Sequence, residues 1–354
     1  ATVRALLADP ALRQQHVRAV AAFALHEENA FSGVALDYRG LPVELRPAFT
    51  AFVRDLAALL HAGDATLTVI LPAPVFDAPG RRWLTGAYDW GAIGQAADRV
   101  AIALPADPEA WGPGGAVEDL IVWATGQISR SDLLLEVSAL SIEDQGEGLF
   151  VPVSPGEVLA RWSTVQLEPA GQAEAGQPVI AQLAGMGGVT LRSGVDEAIA
   201  TAYLALEDAD GSELRRLWLT DAAALQARLA LAVRANLGGV LVRDLWRTGT
   251  LPGLAEVLAA YRVGTGSAPD TSDLVVIWTV RAGDTVIEQS ATSPGAPFRF
   301  EAPEHYPAVS VEARLDGAVL GRAELTIIQP EPTPASSDDN AATTPTPEPD
   351  TPDS

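Results

Sequence analysis

Residues 31–40 read F-S-G-V-A-L-D-Y-R-G and run on into Leu41-Pro42. A short apolar run that stops at a loop, followed by a proline where a helix's first turn would fall, describes a strand feeding a helix, the βα unit of a parallel barrel. Side chains two apart on a strand share a face, so Ala35, Asp37 and Arg39 point the same way. At the carboxyl end of a barrel strand that way is into the mouth, where such barrels keep their chemistry. Only Asp37 of the three is a carboxylate.

Outward from this stretch the same alternation repeats. A helix is expected upstream to about residue 28, led in by Leu6-Leu7-Ala8-Asp9-Pro10, and another over 43–62 closed by Gly63. Strands follow at 66–71, 99–104 and 133–140, separated by a short helix beginning at 88–94 and a longer one at 117–124. Regularity lapses over 141–195, which is too long for an ordinary connection in a compact domain. Residues 202–207 and 215–219 around Asp210-Gly211 read as a hairpin. Thr220 or Asp221 then caps a helix to about 236, a strand covers 240–243, and a last helix ends near 261. Strands alternating with helices predict an α/β fold with a parallel sheet.

The run S-G-V-A-L-D-Y-R-G-L-P with the helix and T-L-T-V-I-L-P-A after it resembles the fourth βα unit of glycoside hydrolase family 18, which includes chitinases and spore-cortex peptidoglycan hydrolases. The resemblance implies a (β/α)8 TIM-barrel-type domain over 1–263, of which the fourth to eighth βα units are visible, with 141–195 as an insertion walling the substrate groove. It also implies N-acetylated glycan as substrate, with no cofactor and no metal. The family signature there is D-G-x-D-x-D-x-E, whose glutamate protonates the leaving oxygen while the substrate's own N-acetyl group attacks the anomeric carbon. Carried over, it falls on Ser32, Ala35, Asp37 and Arg39, so three of four carboxylates are gone and the acid position holds a guanidinium that keeps its proton to pKa ~12. The family's M-x-Y-D at the sixth strand falls on Ala103-Leu104-Pro105-Ala106, with Asp107 one place on, and its floor tryptophan falls on Arg243, with Trp246 three residues later. The family's first three strands have no counterpart, which leads us to expect a C-terminal fragment of a longer chain, or strands supplied by another one.

Beyond 263 the chain changes character. Residues 264–272 read as a Gly/Ser/Thr/Pro linker, and five alternating stretches over 273–330, with Asp316-Gly317 as a turn, read as a small Ig-like β module. Residues 331–354 hold no basic or aromatic side chain and read as a disordered Pro/Thr/Asp-rich tail. Such a tail, and the implied substrate, point to a secreted or cell-surface protein, in a multi-domain or surface assembly, although no signal peptide is visible and the start at Ala1 reads as processed or truncated.

Composition narrows the function classes. Net charge is −23 and all 23 basic residues are arginine, which argues against nucleic acid and anionic membrane as partners. There is no cysteine, and His16, His26, His61 and His305 lack metal-ligand spacing. No apolar run reaches the roughly 18 residues of a membrane span. Asp37 with Arg39 reads as a substrate clamp or, more simply, as an internal ion pair in a mouth that has lost its chemistry. Trp83, Trp111 and Trp246 follow strands and could stack on sugar faces, against ordinary packing as the simpler reading. Glu136, Glu143, Asp144 and Glu147 near the seventh strand could replace the lost acid, against surface carboxylates as the default in so acidic a chain. Two functions compete: a catalytically impaired family-18-like module that binds polysaccharide or peptidoglycan or serves as scaffold, and an active glycosidase of N-acetylglucosamine-containing glycans.

Overall fold

The computed structural model describes residues 2–29, 31–264, 274–315 and 317–329. The expected linker beyond Gly264, residue Asp316 of the expected turn and the expected tail at 331–354 lie outside the described residues.

Five parallel strands form the central sheet in strict chain order: β1 (Gly33–Leu36), β2 (Thr66–Leu71), β3 (Arg99–Ala103), β4 (Leu133–Ser138) and β5 (Gly239–Arg243). Register runs Leu36 to Val69, Leu71 to Ile102, Ala103 to Glu136, and Glu136 to Leu241. The sheet is a curled half-barrel, with β1 and β5 as its edges among the described residues. All five strands stand where the sequence places them, within a residue or two at each end. A parallel strand buried on both faces is a continuous apolar run that the sequence cannot hide.

Period two divides each strand between an outer and an inner face. Leu36, Leu67, Val69, Leu71, Val100, Ile102 and Leu133 face outward into a core completed by the helix Arg46–His61. That helix offers Phe49, Phe52, Val53, Leu56 and Leu60, all fully buried. At ~1.5–3 kcal/mol for each such side chain, this layer fixes which face of every strand looks inward. Ile70, Ala101 and Leu134 pack inside with Leu241.

The expected upstream helix is Pro10–Ala24, ending four residues short of the expectation, and the residues leading into it form a short helix of their own, Val3–Ala8. The Asp9 carboxylate accepts from Ala11 N at 2.8 Å and Leu12 N at 3.1 Å, and Pro10 has no N–H to continue the first helix.

The stretch expected as one insertion goes two ways. Ser141–Asp144 and Phe150–Val153 join Thr190–Asp196, Thr201–Glu207 and Glu213–Trp218 in an antiparallel sheet beside the mouth. The expected hairpin, 202–207 against 215–219, is the centre of that sheet, and Gly211 turns it at φ +80°. Pro178–Gly185 instead pairs with Phe298–Glu301 on one side and Ser163–Glu168 on the other, while Gln172–Glu174 runs parallel to Ala318–Ile328. The strands expected as a separate module over 273–330 therefore share both their sheets with residues 163–185. One apolar core unites Trp162, Val179, Ala181, Trp278, Phe298, Phe300 and Leu325.

Candidate functional site

The inner-face parity of β1, β4 and β5 brings charges together at the carboxyl end of the sheet. Asp37 and Arg39 follow β1 with Tyr38 between them turned outward, its ring packed on His16, Phe49 and Phe52. Glu136 alternates with Leu134 and Ser138 on the inner face of β4. Arg243 ends β5 opposite Ser138.

These four side chains close a ring of alternating charge. Arg39 donates from Nε to Asp37 Oδ1 at 2.6 Å and from Nη2 to Glu136 Oε1 and Oε2 at 2.8 and 2.6 Å. Arg243 donates from Nη1 to Glu136 Oε1 at 2.9 Å and to Asp37 Oδ2 at 3.2 Å. Glu136 is only 7% exposed, against 35% for the Arg39 side chain, so the acid lies beneath the bases. Burial alone would pull the Arg39 guanidinium down, but its hydrogen bonds to Glu136 and Asp37 outweigh that and hold it above its ordinary value. Arg39 therefore enters the mouth as a fixed cation.

The other positions carried over from the signature are chemically silent. The Ser32 carbonyl accepts from Thr66 N at 3.0 Å at the opposite end of β1. Ala35 brings a methyl group to the inner face. Ala103, Leu104, Pro105 and Ala106 line the mouth with no polar side chain. Asp107 does not replace the missing acid: its carboxylate accepts from Glu109 N at 2.9 Å and caps the short turn Pro108–Trp111.

Of the carboxylates considered near β4, only Glu136 reaches the mouth. Glu143 is buried elsewhere, accepting from Arg161 at 2.8 Å and Gln145 at 3.1 Å. Asp144 accepts from Gly146 N in the turn at 145–149, and Glu147 sits in that turn at φ +53°.

The three tryptophans do not share one surface. Trp111 lines the mouth, 8% exposed, with Nε1 donating to Pro105 O at 2.9 Å. Trp246 is 86% exposed and lies between the mouth-lining Asp244 and Arg247. Trp83 does not line the mouth. It belongs to a small hairpin, Val75–Asp77 with Arg82–Leu84, and packs on Phe76 at 5.1 Å and Trp123 at 5.9 Å.

Together these elements enclose a cleft of about 460 Å³, which Ile142 and Pro152 of the antiparallel sheet help to wall. It also takes Arg228, Asp244 and Arg247, which the sequence did not single out. Arg228 looked like an ordinary position in the helix Ala222–Arg234, and only the helix's packing against β4 turns it inward. The cleft sets fixed positive and negative groups among largely apolar walls, which suits binding of a polar ligand. Among the described residues no cluster of three or more His, Asp or Glu could hold a metal ion, and no helix is long and apolar enough to cross a membrane.

No family model matches the chain. A putative sporulation-specific glycosylase of Bacillus subtilis, YdhD, is 26% identical over 162 residues, which are 44% of this chain and 36% of that protein. The chain thus spans about a third of the length of that curated relative. Among solved structures, a chitinase from Chromobacterium violaceum is similar at TM-score 0.52 and 22% identity, over 73% of this chain and 74% of the chitinase. The spore cortex-lytic enzyme SleL of Bacillus cereus is similar at TM-score 0.50 and 19% identity, over 72% of this chain and 55% of that one. The resemblance read from the sequence and the likeness of these structures point to the same group of glycosidase folds.

Proposed function

Starting from a fold similar to that of chitinases and spore cortex-lytic enzymes, we propose that this chain is a non-catalytic module that binds a polysaccharide or peptidoglycan at the mouth of its half-barrel, in an exported or cell-surface protein. The observation that carries this reading is Arg39. The position that resembles the family's proton donor holds a permanent cation, hydrogen-bonded to Asp37 and Glu136. General-acid catalysis contributes roughly 10²- to 10⁴-fold, and a guanidinium supplies none of it at neutral pH. The acetamido-holding Tyr and Asp expected at the third strand here are replaced by Pro105 and Ala106, which adds the loss of substrate orientation to the loss of the proton. We further take residues 163–185 and 274–329 together as an accessory β unit of Ig-like kind beside the binding barrel.

The second reading, an active hydrolase of N-acetylglucosamine-containing glycans, rests on Glu136, a buried carboxyl at the mouth. Against it stand three guanidinium hydrogen bonds, all of which Glu136 accepts, so both of its oxygens are already engaged by Arg39 and Arg243.

Sedimentation with insoluble chitin and with purified peptidoglycan tests the binding reading. The account expects saturable binding to at least one, weakened roughly five- to tenfold by Trp246→Ala, as removal of one aromatic ring from a sugar face would do. Retention of neither polymer would overturn it.

A further inference from the structure

The charges of the cleft do not cancel. Asp37 and Glu136 balance Arg39 and Arg243 within the ring already described. What remains on the wall is Arg228, Arg247 and a single acid, Asp244. Among the side chains that face the cleft one positive charge is therefore in excess, with Asp221 set behind Arg228 outside the lining, in a concave site of a chain whose net charge is −23. Concave walls of low polarizability focus such a charge on whatever occupies the cleft.

Arg228 is the unusual member. It is 3% exposed and lies over the Trp111 ring at 4.1 Å. Its Nη1 donates to Thr220 Oγ1 at 2.9 Å and to Ser138 O at 3.3 Å, but Nε and Nη2 are shut from solvent with no hydrogen-bond partner among the described residues. Burial pushes this guanidinium down to about 9, and the charge on Asp221 only partly offsets that, so it is cationic at neutral pH. A buried cation with two unsatisfied nitrogens is costly, and an anion nearby relieves that cost. It also borders a smaller pocket of about 250 Å³, where Arg234 and Glu118 pair with each other at 3.8 Å and leave no surplus beyond Arg228 itself.

Donors for such an anion are at hand on the open side. Arg247 is 65% exposed, and its ion pair to Asp244, the one it makes among the described residues, is long at 3.9 Å. Arg243 meets both acids through Nη1 alone, and its side chain is 41% exposed. A carboxylate matches a guanidinium edge with two parallel hydrogen bonds, which a neutral hydroxyl or acetamide cannot do.

We propose that the cleft recognises a carboxylate carried on a sugar, which Arg247 and Arg243 contact directly and which Arg228 holds from beneath by its charge. This deepens the glycan-binding reading and rests on it for the sugar, though not for the carboxylate.

The test is calorimetric titration of the whole protein with N-acetylmuramic acid and with N-acetylglucosamine, which differ by a lactyl carboxylate, and with lactate as the free acid. The expected result is at least tenfold tighter binding of the muramic acid, an advantage that shrinks as salt is raised. Arg247→Gln should cut that advantage at least threefold, and Arg228→Met at least tenfold. The exposed Arg247 keeps the test decisive if Arg228→Met does not fold. Equal binding of the two sugars, or an advantage untouched by Arg247→Gln, overturns the carboxylate proposal while the glycan reading stands. Lactate binding with no sugar preference overturns the glycan reading and supports a free-anion site. No binding of any of the three overturns both.

Discussion

At the scale of single residues, the mouth turns on one substitution pattern, a carboxylate clamped between guanidinium groups. Asp37 and Arg39 were legible as mouth-facing because two-residue spacing on a strand is a local rule. Their partners were not, because Glu136 lies 97 residues from Arg39 and Arg243 lies 206 from Asp37, distances that only sheet register spans. A similar clamp recurs at Glu312, buried at 3% exposure in the β unit between Arg314 and Arg322. Its carboxyl is held below the ordinary value chiefly by the hydrogen bond from Arg314. Burial pushes the other way and Arg322 adds to the lowering. A depressed acid contributes stability that is complete above its unfolded value, about 4.3, and is lost as pH falls through its folded value. Thermal melting should therefore fall on acidification from about pH 5, and Glu312→Gln should lower the neutral-pH Tm while flattening that acid slope. An unchanged slope in the variant would assign the acid sensitivity elsewhere.

At the scale of elements, the five parallel strands were readable because each is a short apolar run closed by turn residues. The pieces of 141–195 were not, since antiparallel strands half exposed to solvent carry a weaker pattern and their partners lie far along the chain. The same contrast appears at the entry to β5. Gly238 donates to both Arg130 O and Leu133 O, at 2.8 and 2.9 Å, and a Cβ there would run into the Ser131 carbonyl. The sequence shows only a Gly-Gly pair, with no sign that the first glycine is pressed against the start of β4. Gly238→Ala should therefore destabilise the protein by about 2 kcal/mol in denaturant unfolding, as overpacking of backbone against backbone does. A change below about 0.5 kcal/mol would mean that the entry to β5 yields freely.

At the scale of the whole molecule, the half-barrel and the β unit are tied by a chain that leaves the first, contributes three strands to the second, and returns before β5. A chain ending at residue 264 would strip Phe298 from Ala181 and Phe300 from Val179, and would uncover the faces of Trp162 and Val165. Such a truncation should bind the hydrophobic dye ANS and lose its cooperative melt; a sharp melt with no dye binding would show that residues 163–185 fold without their partners. The central claim about the whole molecule is that its mouth binds without cleaving. The most direct test is release of a fluorescent leaving group from an N-acetylated chito-oligosaccharide, with the parent and Arg39→Glu side by side. The account predicts no release above the uncatalysed rate from either, because Ala35, Pro105 and Ala106 remain in the single variant. Turnover by the parent that Glu136→Gln or Asp37→Ala abolishes would contradict it.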